Sequence, residues 1–337
     1  MCLCNEPVQD VLHTLRIPVS PLTAEIAQTN EPAMHLICLH NVVPGPIDAF
    51  DEKCSRISVA EFEAFLDRVS EQFELISYSV YETLLREGEA ASRALALSFD
   101  DGFRGVYDYV LPVLRERNLD AVAFINPPVI GNPPGTLFHF LELEIAFRIT
   151  DQQEAAFSFL DAPLYFASEK ARVKAMKSVK KHLKAIPEID RAAGHAEVLE
   201  RLRVGRGAIH AYAAGRSSFQ TMTEDELRDL RSAGWTIGSH GMSHRTLSML
   251  PADELDHEIE MARAYFADTF GWHDLPFAYP YGDIVHVGEA APARVAAAGH
   301  PIAYTTVPGP SDIGTNPHRL PRIDYKRFLR EEGILLG

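Results

Sequence analysis

Cysteine, positive charge and long apolar runs are all scarce in this chain, and each shortage excludes something. Four cysteines, Cys2, Cys4, Cys38 and Cys54, serve 337 residues and lie towards one end. They are too few and too clustered to form a disulfide framework. No second pair at ligand spacing follows Cys2 and Cys4, which favours inert terminal thiols over a metal grip. Lysine and arginine total 32 against 47 aspartates and glutamates, a formal charge of -15. Such a field repels nucleic acid and anionic membrane surfaces, so neither is an expected partner. No segment approaches the roughly 20 apolar residues of a membrane span, and MCLCNEPVQDVLHTLRIPVS lacks a basic start followed by an apolar stretch. A cytoplasmic location without a membrane span is therefore the expectation.

What is present is a globular composition, 46% hydrophobic and 23% charged, on a chain long enough to bury a large core. From residue 34 onward apolar runs alternate with amphipathic segments, the pattern of a parallel α/β architecture. Strands are predicted at 35–40, 73–78, 94–99, 121–126, 235–240, 276–281 and 302–307. Ser58 with Glu61, and Thr223 with Glu226, have the spacing of capping boxes, and a helix should run from Pro251 to near Gly271. The alternation breaks between about residues 131 and 219, where charge-rich sequence such as EKARVKAMKSVKKHLKAI predicts a helical insertion without a comparable strand. Lid or substrate wall on one side, and dimerisation element or decoration on the other, are equal readings of it. The expected organisation is an extension over 1–33, a barrel-like domain over 34–325 and a tail over 326–337.

Chemistry concentrates at predicted strand ends. In LALSFDDGFRGVYDYV the run 95–99 reads as a buried strand, and Val106, Val110, Val113 and Leu114 recur at helical spacing behind it. Asp100 and Asp101 thus sit at a strand tip, where paired carboxylates need a cation, a shared proton or solvent. In WTIGSHGMSHRTLSML, His240 and His244 are four residues apart, which would place both imidazoles on one side of a helical turn. If the strands form a parallel barrel, their C-terminal tips share one mouth. Two imidazoles and one carboxylate suit zinc or another divalent ion, leaving the second carboxylate free to act as a general base towards water.

These stretches resemble the motifs of the polysaccharide deacetylases with the NodB homology domain, carbohydrate esterase family four. SFDDG resembles the first motif and implies Asp100 as the base and Asp101 as a metal ligand. SHGMSH resembles the second and implies His240 and His244 as ligands. FAYPYG resembles the third and implies that Tyr281 offers a backbone N–H to a developing oxyanion. The resemblance spans about 34–325, outside the insertion, and implies an α/β fold, a distorted (β/α)7 barrel. Two positions depart from the pattern. Ala278 stands where many members carry an arginine that orients the base; Arg322 in HRLPRID is the candidate substitute, the rival reading being a surface ion pair with Asp324 or another carboxylate. The late leucine-x-histidine motif is also absent, while LICLHNVV looks like the equivalent strand moved to the start, as in circularly permuted members. His40 would then be the general acid.

The implied function is metal-dependent N-deacetylation of an acetamido sugar, releasing acetate and an amine. Without an export signal, a small or a nucleotide- or lipid-linked intermediate is the expected substrate. Zinc is the first choice of ion, with cobalt, nickel, manganese and iron as alternatives. Rival readings are a hydrolase of a formamide or cyclic amide, and a non-catalytic binding module. A homo-oligomer through the insertion remains open. Lys174, Lys177, Lys180, Lys181 and Lys184 could line a cleft, but a solvated helix face is preferred. His35, His139, His257, His273, His286, His300 and His318 default to structural or exposed roles, and Trp235, Tyr279 and Tyr304 to the core.

Overall fold

Short, almost wholly apolar strands can be stable only when covered on both faces, and that is how this chain uses them. The computed structural model describes residues 34–336 except 90, 134, 312, 313 and 315, so the expectations for 1–33, Cys2 and Cys4 lie outside the described residues. The central sheet contains β1 (Met34–Leu39), β2 (Glu74–Leu75), β3 (Ala94–Phe99), β4 (Val122–Ile125), β5 (Thr236–Ser239), β6 (Phe277–Ala278), β7 (Ala303–Tyr304) and β8 (Ile323–Asp324). Its order is β7-β6-β5-β4-β3-β1-β8, with β2 added to β3, and every pairing is parallel. A bridge from Tyr304 to Leu320, just before β8, links the two ends. The result is a distorted (β/α)7 barrel.

Successive side chains on a strand point to opposite faces, and both faces here are apolar. Leu36, Ala96, Val122, Phe124, Ala278 and Tyr304 belong to one buried cluster. Their neighbours Ile37, Leu39, Leu97, Phe99, Ala123 and Ile237 belong to another, which includes Trp235 and Phe266 from the surrounding layer. Trp235, Tyr279 and Tyr304 are buried, as expected.

Several strands are shorter than their apolar runs. Tyr78 already opens a helix, leaving only Glu74–Leu75 of the stretch 73–78. Pro276 and Pro280 bracket β6, and proline cannot donate to a ladder. The two-residue β8 was not expected at all. Behind β3 the predicted helix begins as a π-helical turn, Val106–Val110, before Leu111–Glu116 continues it. Gly105 is required there, since a Cβ would lie 2.0 Å from the Val42 carbonyl oxygen.

Helix boundaries follow their caps. Ser58 caps α1 (Val59–Ser70) through the Glu61 N–H, but the box is incomplete because the Glu61 carboxylate accepts from the Tyr325 hydroxyl at 2.9 Å. Between β4 and β5 the chain forms α2 (His139–Ile149), α3 (Glu169–Lys184), α4 (Glu188–Arg201) and α5 (Arg206–Ala213). These helices have their own core, including Phe147, Phe166, Met176, Val179, Val198 and Ile209. The stretch also contains an antiparallel ribbon, Glu154–Ala155 with Leu164–Tyr165, where no strand was expected. A buried ion pair, Arg56 to Glu144 at 2.7 Å, ties α2 to the segment before α1. Thr223 completes a capping box on α6 (Glu224–Ser232). Helix α7 (Ala252–Phe270) ends at Gly271 with φ 72°, the left-handed stop that glycine permits. Among the described residues, no helix is long and apolar enough to cross a membrane.

Candidate active site

Period-two alternation carries the barrel's interior face up to its mouth. Asp100 continues the series Ala94, Ala96, Ser98 just beyond β3, and His40 continues Leu36, Cys38 beyond β1. Asp100 is buried and bound at both oxygens by Arg322, with Nη1 to Oδ1 at 2.7 Å and Nη2 to Oδ2 at 2.9 Å. Arg322 also donates to Ser98 Oγ and the Thr305 carbonyl, each at 3.2 Å. It is therefore not a surface residue paired with Asp324; it is 0% exposed. Burial alone would raise the Asp100 pKa, yet the Arg322 charge and, less strongly, His240 hold it well below the usual carboxylate range. Cys38 Sγ lies 3.4 Å from Asp100 Oδ2, and burial pushes this thiol up and keeps it protonated.

Asp101 turns the other way. Its φ of 74°, followed by Gly102 at 71°, swings its carboxylate towards the histidines. Asp101 Oδ1 is 3.3 Å from His244 Nε2 and 3.6 Å from His240 Nε2. The expected helical turn between the histidines does not form. Residues 241–246 form an irregular loop, with Gly241 at φ 74° and His244 at φ 57°. Two polar side chains hold that loop. Asn126 at the tip of β4 donates to the carbonyls of His240 (2.6 Å) and Gly241 (3.0 Å), and Glu258 on α7 accepts from the Ser243 N–H (2.8 Å) and hydroxyl. The rings still converge, with centroids 5.0 Å apart.

This donor set fits a divalent cation. One carboxylate oxygen and two ring nitrogens lie within 4.8 Å of one another, all buried. His240 Nδ1 donates to the Ala278 carbonyl at 2.7 Å, which fixes the tautomer and turns the Nε2 lone pair towards Asp101. Burial, opposed in part by Asp100, lowers the His240 pKa to about 4, keeping the ring neutral. Asp101 Oδ1 is buried without a hydrogen-bond partner, an unusual state for a carboxylate unless a cation is meant to sit beside it.

The cavity above has a volume of about 220 Å³, with His40, Asp100, Asp101 and Tyr281 around it. Tyr281, at φ 63°, packs edge-on against His244 with centroids 4.7 Å apart. Its hydroxyl lies 3.3 Å from His139 Nε2, so His139 is a neighbour of the mouth and not a remote structural residue. Burial and the nearby His244 hold His139 neutral. Lys180 and Lys184 also face the cavity, contrary to the expected solvated face; Lys174, Lys177 and Lys181 are the exposed ones. His300 is buried in a structural role, its Nδ1 donating to the Leu275 carbonyl at 2.8 Å.

The profile of the polysaccharide deacetylase family matches residues 87–146 and 192–302. The stretch between those matches contains the ribbon and α3. No curated protein sequence matches. Among solved structures, the chain is similar to the deacetylase PplD of Streptococcus pyogenes, with 13% identity over 89% of this chain and 98% of that one and a TM-score of 0.52. It is similar to IcaB of Ammonifex degensii, with 14% identity over 89% and 97% and a TM-score of 0.51. The BpsB deacetylase domain of Bordetella bronchiseptica is similar at 15% identity over 86% and 95%, again with a TM-score of 0.51. At these identities the likeness is one of fold. With the family profile covering half of the sequence, the chain belongs to the polysaccharide deacetylases, a family of hydrolytic enzymes.

Proposed function

We propose that the protein is a metal-dependent N-deacetylase of an acetamido sugar. The observation that carries this reading is the buried Asp101, His240 and His244 set beside a separate carboxylate, Asp100, already committed to Arg322. Asp101, His240 and His244 would hold a divalent ion, zinc being the first choice, which when bound polarises the acyl oxygen and acidifies water.

Asp100 Oδ2, 4.0 Å from His240 Nε2, takes the proton as water oxygen adds to the acetamide carbon. Arg322 orients this base from the residue before β8, replacing the arginine absent at Ala278. The Tyr281 backbone N–H faces the oxyanion that develops on the acyl oxygen. As the C–N bond breaks, His40 gives a proton to the departing amine, leaving acetate and a free amine. β1, which leads to His40, lies between β3 and β8, supporting its reading as the circularly permuted strand. The proposed substrate is a small or a nucleotide- or lipid-linked intermediate of the cytoplasm; the cavity, about 220 Å³ against the roughly 300–1,000 Å³ of ordinary ligand sites, supports the seating of a single small acetamido unit at the reacting end.

Acetate release tests the proposal. Protein stripped by chelator and reloaded with zinc or cobalt should release acetate from an N-acetylated sugar within a panel of nucleotide sugars, glycosides and chitooligosaccharides. Asp100→Asn should abolish it. Release from simple formamides or cyclic amides alone would move the function to a different amide.

A further inference from the structure

Helix α3 brings an unusual pair of charges to this acidic protein's cavity. Lys180 and Lys184 are one helical turn apart, on one side of α3, while Val179 and Leu183 are buried in the adjoining core. Among the described residues, neither ammonium has an ion-pair partner. Lys184 Nζ lies over the Tyr281 ring, 4.0 Å from its centroid, and Lys180 Nζ lies 3.8 Å from Cys54 Sγ and 5.7 Å from the Phe140 ring centroid. The other lysines of the helix reach solvent, so the C-terminal dipole, which favours cations in the last turn, does not explain why these two face inward. Burial and the neighbouring Lys180 push the Lys184 pKa down to about 8, a cost that an anion between the two ammonium groups would remove.

We infer that Lys180 and Lys184 form a phosphoryl subsite, so that the acetamido sugar carries a phosphate, as a sugar monophosphate or a nucleoside diphosphate sugar. The inference rests on the N-deacetylase reading. The choice of phosphate follows from the donor type. Two separate ammonium point charges suit a compact, multiply charged group, whereas planar carboxylates are usually met by an arginine fork. The subsite adjoins Tyr281, within the same cavity as Asp100 and Asp101. A phosphate there would orient the acetamide from a part of the substrate that does not react.

Two measurements test this. The first is calorimetric binding, on protein as isolated, of a neutral N-acetylhexosamine, its phosphate, its nucleoside diphosphate ester and an N-acetylated aminouronate. The second is the kcat/KM ratio of each charged substrate to the neutral one in metal-loaded enzyme. Both phosphoryl ligands should be preferred, and Lys184→Met or Lys180→Met should reduce the preference about ten- to a hundredfold, the range for one charge-assisted hydrogen bond. Lys184→Arg should restore part of it, and Lys177→Met on the exposed face should leave it intact. Equal binding of neutral and phosphorylated sugars, or an equal preference for the uronate, would overturn the phosphoryl subsite. If no acetamide is hydrolysed, the deacetylase reading fails, while binding still decides on the subsite. Preference for only one phosphoryl ligand would identify which source the subsite serves.

Discussion

Arg322 closes both N–H groups of its fork on Asp100 across 222 residues of sequence, with both partners buried. An ion pair this deep stabilises little relative to an apolar pair, but breaking it by removing one partner is expensive. Arg322→Met should cost about 3–5 kcal/mol, measured by urea denaturation at pH 7, and Arg322→Lys less because charge survives without the fork. The Asp100 carboxyl is held below its unfolded value, so the pair's stabilisation is complete above about pH 3.9 and is lost as pH falls towards the folded value. The stability gap between wild type and Arg322→Met should therefore narrow on acidification. A gap equally wide at pH 7 and pH 3 would contradict the assignment.

Metal uptake should resist acid better than two ordinary histidines allow. Ligand rings must be neutral, and burial, against the pull of Asp100, already lowers His240 to about 4. An ordinary histidine would lose about tenfold in apparent affinity between pH 7 and pH 5.5; His240 should add no such loss. Cobalt competition against a chromophoric chelator, corrected for the chelator's own protonation, measures it. A fall as steep as two ordinary histidines give, about a hundredfold, would mean that burial does not hold His240 neutral.

Asn126→Ala should weaken metal binding without touching a ligand. It frees the carbonyls of His240 and Gly241 and lets the left-handed loop relax. Loss of such an outer partner typically costs about 10–100-fold in metal affinity. Unchanged cobalt affinity in a folded variant would show that Glu258 alone holds the loop.

Gly105→Ala tests backbone approach and not chemistry. The added methyl would meet the Val42 carbonyl oxygen and Asn41 Oδ1, at 2.0 and 2.4 Å, although φ at this residue is helical. Overpacking of this kind costs about 1–3 kcal/mol or more, and because the obstruction is backbone the upper part of that range is expected. A melting temperature within a degree of wild type would show that the turn after β3 moves freely.

The central strands were legible because parallel strands covered on both sides read as plain apolar runs, and Ala94–Phe99 agrees with its run to the residue. Six of the seven residues singled out for the site line one mouth, with Arg322 buried behind Asp100, because alternation and strand-end geometry are local properties. What could not be read depended on distant partners. β8 has only two residues and exists because β1 offers it an edge. His240 and His244 converge through a loop, since Asn126 and Glu258 take the backbone groups that a helix would have used. Asn126 closes the predicted strand 121–126 and follows the observed β4 as Asp100 follows β3, and that strand-end position was the available clue. Which lysines of α3 face the mouth depends on how the helix packs, information absent from the spacing of charges alone.

The late position of Arg322 also imposes an order on assembly. A ribosome releases Asp100 more than two hundred residues before its partner, so an early collapse of β1 onto β3 would hold a carboxylate with no counter-charge. Long-range pairings of this sort form slowly. The incomplete barrel would gain by leaving Asp100 wet or protonated until β8 arrives. Ionisation of Asp100 would thus report that β8 has docked, and the carboxylate proposed as the base would double as a checkpoint on folding.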